Sequence, residues 1–327
     1  MKILLSTRER IVGGGEIFLR DLAVELETLG HEVIIRSNID AGVRILLPAV
    51  PKIGVLDFSI IRLVVANDFR SLWMALFLNP FSRKVFVVHG IWQISQLRMI
   101  FCRIIGAKVL CVSESLTKEA RKVSQFGPEI SQLLLSPAKP NQEIVSKPFI
   151  FFECNESPLR IGNIARLDPI KNLQLFSDFI EQLTISGFKV DASLLTYVPE
   201  NKAQSEILSG LSPKIKIFHD ISAYDYLTQV DILVNTSLYE SFGYSLIEAL
   251  LSGVAVFSTA VEGPSEFLLE ELSKGYFPGI RDSTSLCSAF QEFRKSVDKK
   301  EYIRSVDSVL SQRSPRHMAT KVLEYLK

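Results

Sequence analysis

ILVNTSLYESFGYSLIEALLSGVAVF, residues 232–257, decides the fold. It opens with an apolar run, Ile232–Val234, and turns at Phe242-Gly243. Helical patterning then continues through Leu251, and a second apolar run follows at Val254–Phe257. Short apolar run, helix, short apolar run is the repeating unit of a parallel sheet, whose strands are joined by crossover helices and buried on both faces. The turn also carries chemistry. Glu240 sits in the loop and Glu248 one turn into the helix. Carboxylates accept hydrogen bonds from vicinal hydroxyls, and Gly243 lets the backbone come close with no Cβ in the way. The N–H groups that open the helix can face an anion. Such a stretch suits a polyhydroxylated ligand carrying phosphate, as in a nucleotide sugar.

The same rhythm runs outward in both directions. Ile3–Leu5 reads as a strand, Glu16–Leu29 as an amphipathic helix with Gly30 as its C-cap, and Val33–Ile35 as the next strand. Apolar runs follow at Leu63–Ala66, Val85–Val88, Val109–Val112 and Leu133–Leu135, separated by helical patterning. Ser136–Pro158, with Pro137, Pro140 and Pro148 inside it, breaks the series and reads as a linker leading into a second domain. The alternation resumes with strand Arg160–Ile164, helix Asn172–Ser186, strand Val190–Leu195, helix Lys202–Ser209, strand Ile215–Phe218 and a short helix at Tyr224–Val230. The last fifty residues read as mostly helical. The expected architecture is α/β, with two doubly wound parallel-sheet domains facing each other across a cleft.

At 327 residues the chain is long enough for two such domains, and 47% hydrophobic against 22% charged residues is ordinary for a globular protein. A net charge of +1 argues against a dedicated nucleic-acid binder. The charge is uneven: residues 1–150 hold 19 Lys and Arg against 13 Asp and Glu, and the remainder 18 against 23. Cys102, Cys111, Cys154 and Cys287 show no metal-binding or redox spacing, and read as buried reduced thiols. The apolar run in MKILLSTRER is too short for a signal peptide, and LWMALFL (72–78) falls far short of the roughly 18–20 residues of a spanning helix. A cytoplasmic location is expected, with peripheral contact at the inner face of the membrane left open.

Three further constellations carry chemistry. Gly13-Gly14-Gly15-Glu16 lies between the first strand and the first helix, where glycines permit positive φ and bring backbone N–H groups toward an oxyanion. Phe18 occupies the place of the last glycine in a GxGxxG fingerprint, which weakens a dinucleotide reading. GNIARLDPIK (162–171) again follows a strand and precedes a helix; Arg166 and Lys171 there can set two cations on a pyrophosphate, although an Arg and a Lys at that spacing are ordinarily solvated surface. His89 follows the apolar run Val85–Val88, at a strand end from which it can hydrogen-bond a hydroxyl or phosphate, though a lone histidine is more often structural.

In order along the chain, GGGE, VVHG, IARLDPIKN and ESFGYSLIE continuing into ALLSGVAVFSTAVEGPSE resemble the motifs of the GT-B fold retaining glycosyltransferases, family GT4-like (glycosyl transferases group 1). The resemblance implies two Rossmann-like domains: an N-terminal acceptor-side domain at 1–145, a C-terminal nucleotide-sugar-binding domain at 146–312, and a helix at 313–327 packing back toward the first. It implies an enzyme that moves a sugar from a UDP- or GDP-linked donor to a hydroxyl of a glycan or lipid-linked acceptor, with no cofactor and no metal. Arg166 and Lys171 would hold the donor diphosphate and Glu248 the ribose. Glu240 with the Phe242-Gly243-Tyr244 backbone would hold the donor sugar. Gly14, Gly15 and Glu16 would lie near the diphosphate and acceptor, and His89 would hydrogen-bond the donor sugar or diphosphate. The chain departs from the family at Ala165, where glycine is usual, and at Glu262-Gly263-Pro264-Ser265-Glu266, where paired glycines are common. A nucleotide-sugar epimerase on the same fold and a non-catalytic nucleotide-sugar-binding scaffold are the alternatives. Finally, Ile91–Ile105 is apolar apart from a few polar residues, with Arg98 and Arg103 its only charges; it reads as a surface helix on anionic lipid or as a helix buried between the sheet and its neighbours.

Overall fold

The computed structural model describes residues 1–8, 13–36, 61–124, 127–137, 149–152, 158–259, 262–267, 270–277 and 279–326. They form two compact units, Met1–Ala138 with Arg313–Lys327, and Lys139–Gln312. The 145/146 boundary expected from the sequence, and Cys154, lie outside the described residues.

The first unit is built on six parallel strands, β1 (Lys2–Ser6), β2 (Glu32–Arg36), β3 (Ile61–Ala66), β4 (Arg83–Val88), β5 (Lys108–Cys111) and β6 (Ile130–Gln132), in the order β2-β1-β3-β4-β5-β6. Their helices are α1 (Gly14–Thr28), α2 (Phe69–Leu78), α3 (Gln96–Ile104) and α4 (Glu114–Val123). Phe18, Leu19, Leu22, Ala23 and Leu26 place one buried stripe along α1, and Gly30, at φ 81, terminates the helix as expected. Late in the chain, α11 (Pro315–Leu323) packs on α1, burying Met318, Ala319 and Val322. The Arg83 guanidinium donates to Tyr325 O (3.0 Å), and Arg313 to Leu135 O (3.1 Å).

The second unit has five parallel strands, β7 (Leu159–Ile164), β8 (Val190–Leu195), β9 (Ile215–Phe218), β10 (Ile232–Asn235) and β11 (Ala255–Ser258), in the order β11-β10-β7-β8-β9. Its helices are α5 (Leu173–Ile185), α6 (Lys202–Ser209), α7 (Ala223–Leu227), α8 (Tyr244–Leu251), α9 (Ser283–Ser296) and α10 (Lys299–Ser311). One side of the core is aromatic: Phe151, Phe179, Phe257, Phe290, Phe293 and Tyr302 are fully buried and meet edge-on or stacked. Gly162 of β7 gives room to a different pair, since a Cβ there would stand 2.6 Å from Val230 and 2.8 Å from the Tyr226 hydroxyl.

Several expectations are corrected. The strand placed at Leu133–Leu135 is β6, three residues earlier; Leu133 N still donates to Cys111 O (2.8 Å), and both leucines are buried beyond the strand's end. Asn172 is not the start of a helical run but a left-handed residue (φ 46) that caps α5. None of Gly13, Gly14 and Gly15 adopts positive φ: Gly13 is extended (φ −145) and the others begin α1. The 91–105 stretch is not one helix. Ile91–Gln93 form a 3-10 turn, and α3 starts after extended residues at Ile94 and Ser95. Nor is it buried throughout: Met99 and Cys102 point into the core, whereas Leu97 is 81% and Ile104 76% exposed. Cys102, Cys111 and Cys287 are free and buried, and burial pushes the first two thiols up to about 12.

Candidate functional site

In the second unit the chain runs from β7 outward to β8 and β9, then returns to the other side of β7 as β10. At such a reversal the loops leave the carboxyl ends of neighbouring strands in opposite directions, opening the crevice where parallel α/β sheets bind ligands. Both motifs of this unit sit there. β7 exits into Ala165-Arg166-Leu167-Asp168 and a 3-10 turn, Pro169–Lys171, capped by Asp168 Oδ1, which accepts from Ile170 N (2.9 Å). β10 exits into Thr236-Ser237-Leu238-Tyr239-Glu240.

The two loops are stitched together. Leu238 N donates to Ile170 O (2.8 Å), and Thr236 Oγ1 lies 3.2 Å from Lys171 O and 3.1 Å from Asn172 O. Between them the Lys171 ammonium meets Glu240 Oε1 at 2.5 Å, with the side chains only 17% and 15% exposed. Ser237 Oγ is 2.9 Å from the same carboxylate oxygen and 2.6 Å from Asn235 Oδ1. On the adjoining loop half-buried Arg166 accepts at its carbonyl from Asp168 N (2.9 Å), while its guanidinium makes no hydrogen bond or ion pair with the described residues. Glu240 is held from behind as well, for its carbonyl accepts from Gly263 N (2.9 Å). Gly263 is required there, since a Cβ would fall 2.2 Å from the Ser241 carbonyl carbon. Gly243, at φ 85, starts α8 with no side-chain cap, between the Phe242 and Tyr244 rings; Glu248 is buried in the second turn of α8. Behind the loop, burial, the Tyr302 phenol and Glu240 hold the Tyr276 hydroxyl well above its ordinary pKa.

In the first unit the order reverses between β1 and β3, and the remaining expected residues gather at those strand ends. Glu16 is committed to structure. Its carboxylate accepts from Gly13 N (3.0 Å) and from the Thr7 hydroxyl (3.2 Å), capping α1. Gly15 is where the turn must be bare: a Cβ would lie 2.8 Å from Asn67 Nδ2 and 3.6 Å from the His89 ring. His89, past the end of β4, turns Nε2 to Asn67 Oδ1, past the end of β3. Gln93 braces both, accepting from His89 N (2.5 Å) and donating to Asn67 O (3.0 Å). Desolvation pushes the imidazole down to about 3, so the ring is neutral near pH 7. With Nε2–H given to Asn67, Nδ1 is left as an acceptor.

Arg166, Lys171, Glu240, Phe242, Gly243, Tyr244 and Glu248 therefore belong to the second unit, and His89, Gly14, Gly15 and Glu16 to the first. Sequence reasoning missed Asn67, Gln93, Ser237 and Gly263. Asn67 was within reach, because it follows an apolar strand as His89 does; Ser237 and Gln93 make short-range side-chain contacts with Glu240 and His89 N, and Gly263 acts on Glu240 from a distant part of the chain. Among the described residues no group of three or more His, Cys, Asp and Glu is placed to hold a metal.

Residues 158–296 match the family model described as Glycosyl transferases group 1. Among curated proteins the chain is similar to sucrose synthase 6 of Oryza sativa subsp. japonica, 26% identical over 222 residues (55% of this chain, 24% of that protein). The sucrose synthase of Denitrovibrio acetiphilus is 28% identical over 188 residues (50% and 23%). The chain thus spans about a quarter of the length of the curated relatives it matches. Among solved structures, Anabaena HepE in complex with UDP-glucose superposes with a TM-score of 0.76 at 18% identity, covering 100% of this chain and 99% of that one. Sucrose-phosphate synthase of Thermosynechococcus elongatus gives 0.66 at 16% identity, covering 99% and 96%. The chain thus has the two parallel-sheet units of the GT-B fold seen in those structures, and residues 158–296 of its second unit match Glycosyl transferases group 1.

Proposed function

We propose that the enzyme moves a sugar, with retention of anomeric configuration and without a metal, from a nucleoside diphosphate donor to a hydroxyl of a glycan or lipid-linked acceptor. Its setting is the cytoplasm, at the inner face of the membrane, in bacterial surface polysaccharide or lipopolysaccharide synthesis. The observation that carries the reading is the Arg166 and Lys171–Glu240 cluster, stitched by backbone bonds at the β7/β10 reversal. Two cations preorganised on a partly desolvated loop suit a diphosphate whose charge grows as it leaves. Buried Glu248 suits the ribose hydroxyls. Glu240, whose Oε1 is shared between Lys171 and Ser237, holds the donor sugar rather than attacking it, the role the family resemblance implies. Same-face transfer follows: the departing phosphate takes the acceptor's proton, while Arg166 and Lys171 stabilise its charge. His89, as a neutral ring with an acceptor nitrogen, suits a hydroxyl of the donor sugar better than a phosphate oxygen, which can only accept.

A melting-temperature and calorimetric screen against UDP- and GDP-sugars tests the reading. UDP-glucose is the first candidate, because HepE structures hold UDP-glucose or UDP. A sugar nucleotide that raises the melting temperature, and is consumed only with an acceptor present, is the expected result. Consumption of donor alone, with a sugar isomer as product, would point to an epimerase; no shift with any sugar nucleotide would overturn the reading.

A further inference from the structure

Residues 69–113 contain no Asp or Glu and six cations, Arg70, Arg83, Lys84, Arg98, Arg103 and Lys108. Within that acid-free stretch lie nine of the large apolar side chains that the described residues expose. They are Trp73, Phe77, Leu78 and Phe81 at α2 and just beyond it, Ile91 and Trp92 in the 3-10 turn, and Leu97, Ile100 and Ile104 on α3. Phe81 is fully exposed and Leu97 81% exposed. The elements touch. The Trp73 ring packs on Phe77 (5.4 Å) and across to Phe101 of α3 (5.1 Å), Phe101 meets Phe69 (5.2 Å), and Arg98 lies over Phe69 (5.3 Å) while donating to Trp92 O (2.7 Å). On α3 the exposed residues fall at i, i+3 and i+7, and the opposite side buries Met99 and Cys102. On α2, Arg70 shares a face with Trp73 and Phe77 by the same spacing.

We propose that α2, the Ile91–Gln93 turn and α3 together form one membrane-docking face that seats on an anionic lipid surface. Aromatic and aliphatic side chains enter the headgroup boundary, and a rim of arginines with no carboxylate among them meets the lipid phosphates. The occupant follows from the charge: a partner with a cationic or mixed rim would find nothing acidic to pair with over this stretch. The inference rests on the lipid-linked part of the acceptor reading and extends it from one helix to a two-helix surface. The two fail separately, since vesicle binding needs no donor and a donor-induced melting shift needs no vesicle.

The chain supplies its own reporter, for its only two tryptophans, Trp73 and Trp92, both lie on this face. Tryptophan emission of the full chain is recorded with vesicles of phosphatidylcholine alone and of phosphatidylcholine with phosphatidylglycerol, alongside flotation. The expected result is a blue shift and flotation with the anionic vesicles only, reversed by high salt. A Phe77→Ser/Leu97→Ser/Ile104→Ser variant keeps both reporters, and its far-UV melt checks folding; it should partition at least about tenfold more weakly. Arg70→Glu should weaken partitioning in the same direction while sparing Arg98 and Arg103, which donate to Trp92 O and Gly127 O. Wild-type protein left behind by anionic vesicles, or a folded triple variant that binds as well as wild type, overturns the proposal. So does a concentration-dependent dimer that the triple variant abolishes, in protein that ignores vesicles, because a second copy would then be the occupant.

Discussion

Arg166 and Lys171 carry the same charge but are tied into the structure differently, and this separates their substitutions. The Arg166 side chain has no partner among the described residues, so Arg166→Ala should leave stability within about 0.5 kcal/mol of wild type. Its kcat/KM should fall by roughly 10²–10³, the loss of about 2.7–4 kcal/mol seen when one preorganised donor is removed. Lys171→Ala should lose comparable activity and also stability, since it strands the Glu240 carboxylate in a mostly buried loop. Equal melting temperatures for the two variants would contradict this. His89 gives a pH prediction. Its folded pKa lies far below the ordinary 6.5, so the unfolded chain binds the extra proton first as pH falls. Its contribution to stability is whole above pH 6.5 and drains away from there toward pH 3. Urea midpoints between pH 7 and 4 should therefore fall less steeply in His89→Gln than in wild type, and the wild-type rate profile should show no imidazole ionisation near neutrality.

Between residue and domain, the decisive parts are the turns that leave β7 and β10. Gly263→Ala should tear them apart: its Cβ meets Ser241 backbone, which has no rotamer to escape into, and the bond to Glu240 O is lost with it. A loss of at least about 1–3 kcal/mol and near-complete loss of donor binding are expected, by denaturant titration and calorimetry. Retained binding in the variant would show that this latch does not set the position of Glu240. The strands and helices around these turns were legible. β8, α6 and β9 fall at the bounds read from the sequence, because each is an apolar or amphipathic run with polar residues at both ends. The limits of such reading are equally physical. Leu133 and Leu135 looked like a strand because burial selects apolar side chains in a connecting segment as well as in a ladder. Gly263 stood out only as part of a departure from the family motif, because its role depends on Glu240 and Ser241, far back along the chain. Arg166, Lys171 and Glu240 could be singled out, but not the Lys171–Glu240 pairing, which exists only once β10 has returned beside β7.

At the scale of the whole molecule the units differ in how the chain composes them. The second is one unbroken stretch, and the first is assembled from two, with α11 supplied by residues 313–327. Deleting those residues removes three fully buried side chains, Met318, Ala319 and Val322, and the acceptor of the Arg83 bond. The first unit should lose roughly 3–6 kcal/mol, seen as an earlier calorimetric transition. The aromatic core around Phe293 should melt as before; a single transition lowered as a whole would contradict this. The split also bears on biosynthesis. A chain leaves the ribosome from its N-terminus, and domains fold as units while it does. Here the earlier unit cannot be the first to finish, because its last helix is translated only after residue 312 has closed the other. Until then the flank of α1 that α11 will cover stays bare, so nascent chains halted before residue 313 should be the ones a chaperone holds and a protease trims, with the second unit already resistant.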